Sequence, residues 1–124
     1  MLYDIDRNLV TTVPHETEYR AWISNLSDKD LAGIRKQLTR MITDSDIHTS
    51  SWMPGEDWTG TPFEPIYETA CGRSFQKAGW CFGLILWELM MEREEAWCFI
   101  KDPDREILGT TYFRVPDLDD RTGG

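Results

Sequence analysis

The sequence predicts an α+β domain, and three stretches carry the prediction. Gly79–Met91 is apolar on every side, with Glu88 as its single charged residue. Residues 28–43 place Leu31, Ile34, Leu38, Met41 and Ile42 on one helical face and charged or polar residues on the other. Residues 96–100 and 107–115 are aromatic and β-branched, with Asp102-Pro103-Asp104-Arg105 between them as turn chemistry. The expected architecture is three to four helices around a buried central helix over about 74–94, with a C-terminal antiparallel β-hairpin over about 96–101 and 107–115. Residues 1–115 are expected to form one compact domain and 116–124 a loose acidic tail.

Taken in order, residues 2–13 contain a short strand signal around Val10-Thr11-Thr12-Val13. Pro14 suits a first helical position, and Glu16 and Glu18 follow where the helix dipole favours acids. Tyr19, Trp22, Ile23 and Leu26 then recur at helical spacing, predicting a helix over 14–25. Ser27 is a good N-cap, with Asp28 and Asp30 in the first turn of a second helix that ends near Asp44. From 44 to 65 periodicity disappears and Pro54, Pro62 and Pro65 mark a long loop. That loop carries Trp52, Met53, Trp58 and Phe63, which are costly to leave in water, so it is expected to fold back onto the core. Residues 66–71 read as a short helix stopped by Gly72, and Ser74 caps the central helix.

A helix apolar all round must be covered on nearly every side. Other elements wrap the 79–91 stretch, or a second copy of the chain covers part of it. Gly79 and Gly83 form a small-x-x-x-small pair that lets another backbone approach closely. With Leu86, Trp87 and Met90 they make the expected contact surface of a homo-oligomer, most simply a dimer.

Composition limits the partners. The 124 residues hold 22 acids against 13 bases, a formal net charge of −9. Nucleic-acid affinity comes mainly from basic residues that displace counterions. No basic stripe exists here, so nucleic acid is not an expected partner. The 79–91 stretch is too short to span a bilayer. The first residues lack a basic segment followed by an apolar run. The expectation is a cytoplasmic protein that makes no membrane contact. Cys71, Cys81 and Cys98 are odd in number and lack metal-ligand spacing, so they read as small core residues rather than as a disulfide or zinc framework.

Few residues carry chemistry. Trp52 and Trp58 bracket Glu56 and Asp57; indole faces beside carboxylates suit a cationic ligand, and the rival reading makes both tryptophans core plugs. Tyr67 is grouped with them as a ligand-binding residue. Glu88 is either a buried acid lining that pocket, with Arg35, Arg73 or Arg114 as its partner, or part of a wet stripe with Glu92 and Glu95. His48, in Asp44-Ser45-Asp46-Ile47-His48, is weighed as a metal ligand and read as a solvated loop residue; His15 reads as structural. No nucleophile motif, phosphate loop or supported pair of catalytic carboxylates is visible. No catalytic residue, metal or cofactor is expected.

The stretches Trp52-Met53-Pro54-Gly55-Glu56-Asp57-Trp58-Thr59-Gly60-Thr61-Pro62, Pro65-Ile66-Tyr67, Phe82-Gly83-Leu84-Ile85-Leu86-Trp87 and Gly109-Thr110-Thr111-Tyr112-Phe113 resemble small acidic proteins encoded by mobile integron gene cassettes. The resemblance covers roughly residues 48–115. It implies homo-oligomers, some with ligand-sized pockets, and carries no assigned activity. The function expected from all of this is a self-associating binding module with a Trp-lined pocket for a small or cationic ligand. The alternatives are a small enzyme using acids in that pocket, or an acidic protein-binding factor of the antitoxin or immunity type.

Overall fold

The computed structural model describes residues 1–43, 45–52, 58–102 and 105–118, with the backbone alone at 48, 50, 51, 75, 102 and 105–108. The fold is α+β. Strand β1 (Leu2–Tyr3) leads to helices α1 (Glu16–Ser24) and α2 (Asp28–Met41). Strand β2 (Ile47–His48) and a single helical turn, α3 (Thr49–Trp52), follow. A π-helical turn (Ile66–Ala70) precedes the long α4 (Phe75–Glu92), and β3 (Trp97–Asp102) and β4 (Arg105–Arg114) close the described chain.

The C-terminal hairpin is the centre of a four-stranded sheet of order β1-β3-β4-β2. β3 and β4 are antiparallel, with Trp97 opposite Arg114 and Phe99 opposite Tyr112, and the register shifts at Lys101/Asp102. β1 adds in parallel, with Leu2 beside Trp97. β2 adds antiparallel on the other edge, with Ile47 beside Tyr112. Both outer strands are two residues long, which keeps the exposed edges short. An isolated hairpin is marginal in water, and here two added strands and α4 support it.

Local chemistry explains the main helices. Ser27 accepts from the Asp30 backbone N–H at 3.1 Å, and Ser74 accepts from that of Lys77 at 3.3 Å. Each satisfies a donor that the first turn would leave open. α2 stops where Ile42 turns extended, two residues earlier than its apolar face predicts. α1 begins at Glu16, with His15 as its N-cap in the left-handed region at φ 50°, so Pro14 precedes the helix instead of opening it. The strand expected around Val10 lies at Leu2–Tyr3; only a single bridge, Tyr3 to Leu9, joins the following segment to it. The stretch expected to be an irregular loop contains β2 and α3, because pairing to β4 recruits Ile47 and His48.

α4 touches β4, the π-helical turn, α2, α1 and β1. Cys81, Phe82, Leu84, Ile85, Leu86, Trp87, Leu89 and Met90 are all buried, as are Gly79 and Gly83. Three side chains show the wrapping. Phe82 meets the Phe63 ring edge-on at 4.9 Å. Trp87 meets Phe99 at 4.6 Å and Tyr112 at 6.4 Å on the sheet. Glu88 meets α1 and α2. At about 100° per residue these three directions divide the helix circumference. The all-round apolarity of the stretch therefore reflects neighbours on every side within one chain. Beyond β4, Leu118 is buried with Tyr3 and Ala96, so residues 116–118 anchor onto the fold and are not part of a loose tail. The rest of the expected tail lies outside the described residues.

Candidate functional site

A polar cluster is built around Glu88, whose side chain is 18% exposed. Tyr19 OH donates to Glu88 Oε1 at 3.1 Å, Arg35 Nη1 donates to the same oxygen at 3.4 Å, and Arg20 Nη2 donates to Oε2 at 2.5 Å. Arg35 also bridges to Glu92, one turn further along α4, and Arg20 lies 3.6 Å from Glu16. Burial pushes the Tyr19 phenol well above its ordinary value, and the adjacent Glu88 charge adds to this. Tyr19 therefore serves as a neutral donor. Every charge in the cluster has an opposite neighbour, as a half-buried ionic group requires.

Beyond Arg35 the cluster opens into a groove of about 430 Å³. It is lined by Arg35 and Thr39 of α2, Leu89 and Glu92 of α4, and Arg93, Glu94 and Glu95 at and beyond the end of α4. Arg93 Nε donates to Glu95 Oε2 at 2.7 Å, and Trp97 Nε1 donates to the same oxygen at 3.0 Å. Burial raises the Glu95 carboxyl, but these two donors outweigh it and hold it below the usual carboxylate range. Thr39 Oγ1 donates to the Arg35 carbonyl at 2.7 Å. The groove lining thus carries three carboxylates against two guanidiniums, with Leu89 as its apolar residue. A long cationic side chain has matching chemistry, an apolar stem with a charged head.

Of the residues predicted for a tryptophan-lined pocket, Trp58 and Tyr67 come together and Glu88 lies apart from them. Trp58 is 2% exposed. It stacks on Tyr67 at 6.4 Å and meets Phe82 edge-on at 6.2 Å. It is a core plug that offers no ring face to a ligand. Trp52 and Tyr67 are half-buried and pack against the same core. Glu56 and Asp57 lie outside the described residues. Glu88 faces α1 and α2, on a different side of α4 from Phe82 and Trp58. It is a mostly buried acid paired with Arg35, one of its predicted partners, and the expected wet stripe does not form on the helix, because α4 ends at Glu92 and Glu95 lies beyond it. Arg73 and Arg114 are committed elsewhere: Arg73 Nε donates to Glu68 at 2.9 Å and Arg114 Nη1 donates to the Ala96 carbonyl at 2.7 Å.

The five residues expected at an oligomer contact, Gly79, Gly83, Leu86, Trp87 and Met90, are all buried within the single chain. The sheet, α1, α2 and the π-helical turn already cover the apolar surplus that motivated the expectation. The large apolar side chains that are exposed among the described residues are Ile5, Leu9 and Ile100, none of them on α4. The backbone of His48 pairs with Thr111 in the sheet. His15 Nδ1 lies 3.9 Å from Glu18. Among the described residues no group of three or more His, Cys, Asp or Glu is placed to hold a metal ion, and no helix is long and apolar enough to cross a membrane.

Sequence reasoning missed Tyr19 and Arg20 at the Glu88 site and Thr39, Arg93 and Glu94 in the groove. One signal was available: a lone acid in an apolar rod requires a base or donor from the elements that wrap it, and Arg20 adjoins the apolar stripe of α1. No family model, curated protein or solved structure matches the chain.

Proposed function

We propose that this protein is a non-catalytic binding module that takes a basic segment of a partner protein into the groove between α2 and the end of α4. The groove carries the reading: its lining combines Leu89 with an excess of carboxylate at Glu92, Glu94 and Glu95 over Arg35 and Arg93. The net charge of −9 supports it by drawing basic partners in from solution. The walls are preorganised, because Arg35 is held by Glu88 and Glu92, and Arg93 by Glu95. A lysine or arginine of the partner lays its stem on Leu89 and its head against Glu94.

Titration calorimetry with a short Lys/Arg-rich peptide and an acidic peptide of equal length tests this. The basic peptide is expected to bind, with affinity that falls as salt rises. Glu92→Gln/Glu94→Gln is expected to weaken binding about tenfold or more, each 1.4 kcal/mol lost being one decade. Asp6→Asn/Asp117→Asn, an equal change of charge outside the groove, is expected to weaken it far less. Equal loss from both pairs would reduce the interaction to net charge alone and overturn the groove assignment.

A second reading, self-association, draws support from a different surface than the rod. Ile5 and Leu9 are exposed beside β1, and Ile100 is exposed on β3, which pairs with β1. Sedimentation of the wild type against Ile100→Lys tests it; a dimer that the substitution leaves intact would remove this surface from consideration.

A further inference from the structure

Lys101 rests on aromatic rings and not on an acid. Its Nζ lies 5.1 Å from the centre of the Trp87 ring and 5.8 Å from that of Phe99. Among the described residues it meets no carboxylate at ion-pair distance, although the chain holds 22 acids. The β3–β4 ladder shifts register at Lys101/Asp102. Such an irregularity bends the strand end and re-aims the side chain beside it, here over α4.

The two rings form a fixed platform. Trp87 and Phe99 lie 4.6 Å apart with their planes tilted by 59°. The Trp87 indole N–H donates to the Thr12 carbonyl at 3.2 Å, which sets the plane of that ring. Phe99 is held in β3 opposite Tyr112, and Tyr112 packs on Trp87 at 6.4 Å. Lys101, by contrast, is half-buried and sits on a flexible four-carbon stem. It leaves the rings by rotating its own side chain, with no movement of β3.

The rings suit another cation better than this one. A primary ammonium is strongly hydrated and carries three N–H donors, and ring faces satisfy those donors poorly. A quaternary ammonium has no donor to satisfy, and aromatic faces are its usual receptor. The net charge of −9 raises the local concentration of any small cation.

We propose that the Trp87 and Phe99 rings form a binding site for a small quaternary alkylammonium cation, and that Lys101 is its displaceable occupant. The cation lays its alkyl groups on the two rings, and the Lys101 ammonium moves out into water. The site lies on the sheet side of α4, so the inference is independent of the proposed groove.

Tetramethylammonium chloride is the probe, with potassium chloride at equal concentration as the salt control. Two nuclear magnetic resonance signals are followed: the Trp87 indole N–H and the Lys101 ε-methylene protons, which the ring currents hold upfield. In the wild type the indole signal is expected to shift saturably with the probe and not with potassium. The Lys101 protons are expected to return towards the position of a free lysine along the same curve. Lys101→Ala is expected to bind the probe about tenfold more tightly, within the range of a partly desolvated cation–π contact. Phe99→Leu is expected to abolish the saturable shift. An equal response to potassium, equal half-saturation in the wild type and Lys101→Ala, or a saturable shift that survives Phe99→Leu would each overturn the proposal. Should Lys101→Ala fail to fold, the wild-type titration still decides: Lys101 protons that stay upfield while the indole signal saturates exclude displacement.

Discussion

Glu88 is the one charge inside the apolar run of α4, and the protein answers it with Tyr19, Arg20 and Arg35. Glu88→Leu keeps the helix packed but leaves the buried Tyr19 hydroxyl without its acceptor. It is expected to cost about 1–3 kcal/mol in urea unfolding, and Tyr19→Phe in the same chain is expected to recover part of that loss, since an apolar pair is close to neutral where a lone buried donor is not. Glu95 gives a pH prediction. Its folded carboxyl lies below its ordinary 4.5 because Trp97 and Arg93 outweigh burial. Its contribution is present above that ordinary value and is lost as pH falls through it towards the folded value. Stability measured from pH 7 downward is therefore expected to fall less steeply in Glu95→Gln than in the wild type. At this scale sequence pattern found Glu88 and nominated Arg35. It could not choose among the other arginines, because the choice depends on which helix crosses α4 at that turn.

The elements whose signals are local were legible. Ser27 and Ser74 were recognised as caps from the residues that follow them, and both make the bond. Ser74→Ala is expected to destabilise the protein by about 0.5–2 kcal/mol in thermal or denaturant unfolding, with helix content at low temperature little changed because tertiary contacts hold α4. The hairpin was also legible, since turn residues between two β-branched runs specify it within about twenty positions. The elements that were missed are those created by a distant partner. β1 exists because Leu2 and Tyr3 lie beside Trp97 and Cys98, and β2 because Ile47 and His48 lie beside Tyr112 and Thr111. Two-residue strands have no period to detect. The π-helical turn likewise differs from the expected short helix only in how its backbone bonds close, with Cys71 N–H reaching Ile66 O.

For the whole molecule, α4 is the rod on which the sheet, α1, α2 and the π-helical turn assemble. Its removal from water is shared among elements from both ends of the chain, so a cavity in it is felt everywhere. Leu86→Ala is expected to cost about 2–5 kcal/mol, seen as a lower urea midpoint in tryptophan fluorescence and far-ultraviolet circular dichroism alike. A fluorescence change without the backbone change would mean that the rod is not part of one cooperative unit. The placement of Trp58 belongs to this scale too. Indoles beside carboxylates in sequence read as a ligand pocket or as plugs, and for Trp58 the stack on Tyr67 and the edge contact with Phe82 make it a plug.

By itself the sequence determined the α+β class, the central buried helix, two capped helix starts, the hairpin and the acidic character, because each follows from neighbours within a few turns of chain or from composition. Only the tertiary structure decided which arginines meet Glu88, that the rod is covered by its own chain, and where a groove opens. The Glu88 contacts join residues 53 to 69 positions apart, and no local periodicity encodes which of several chemically equivalent partners arrives.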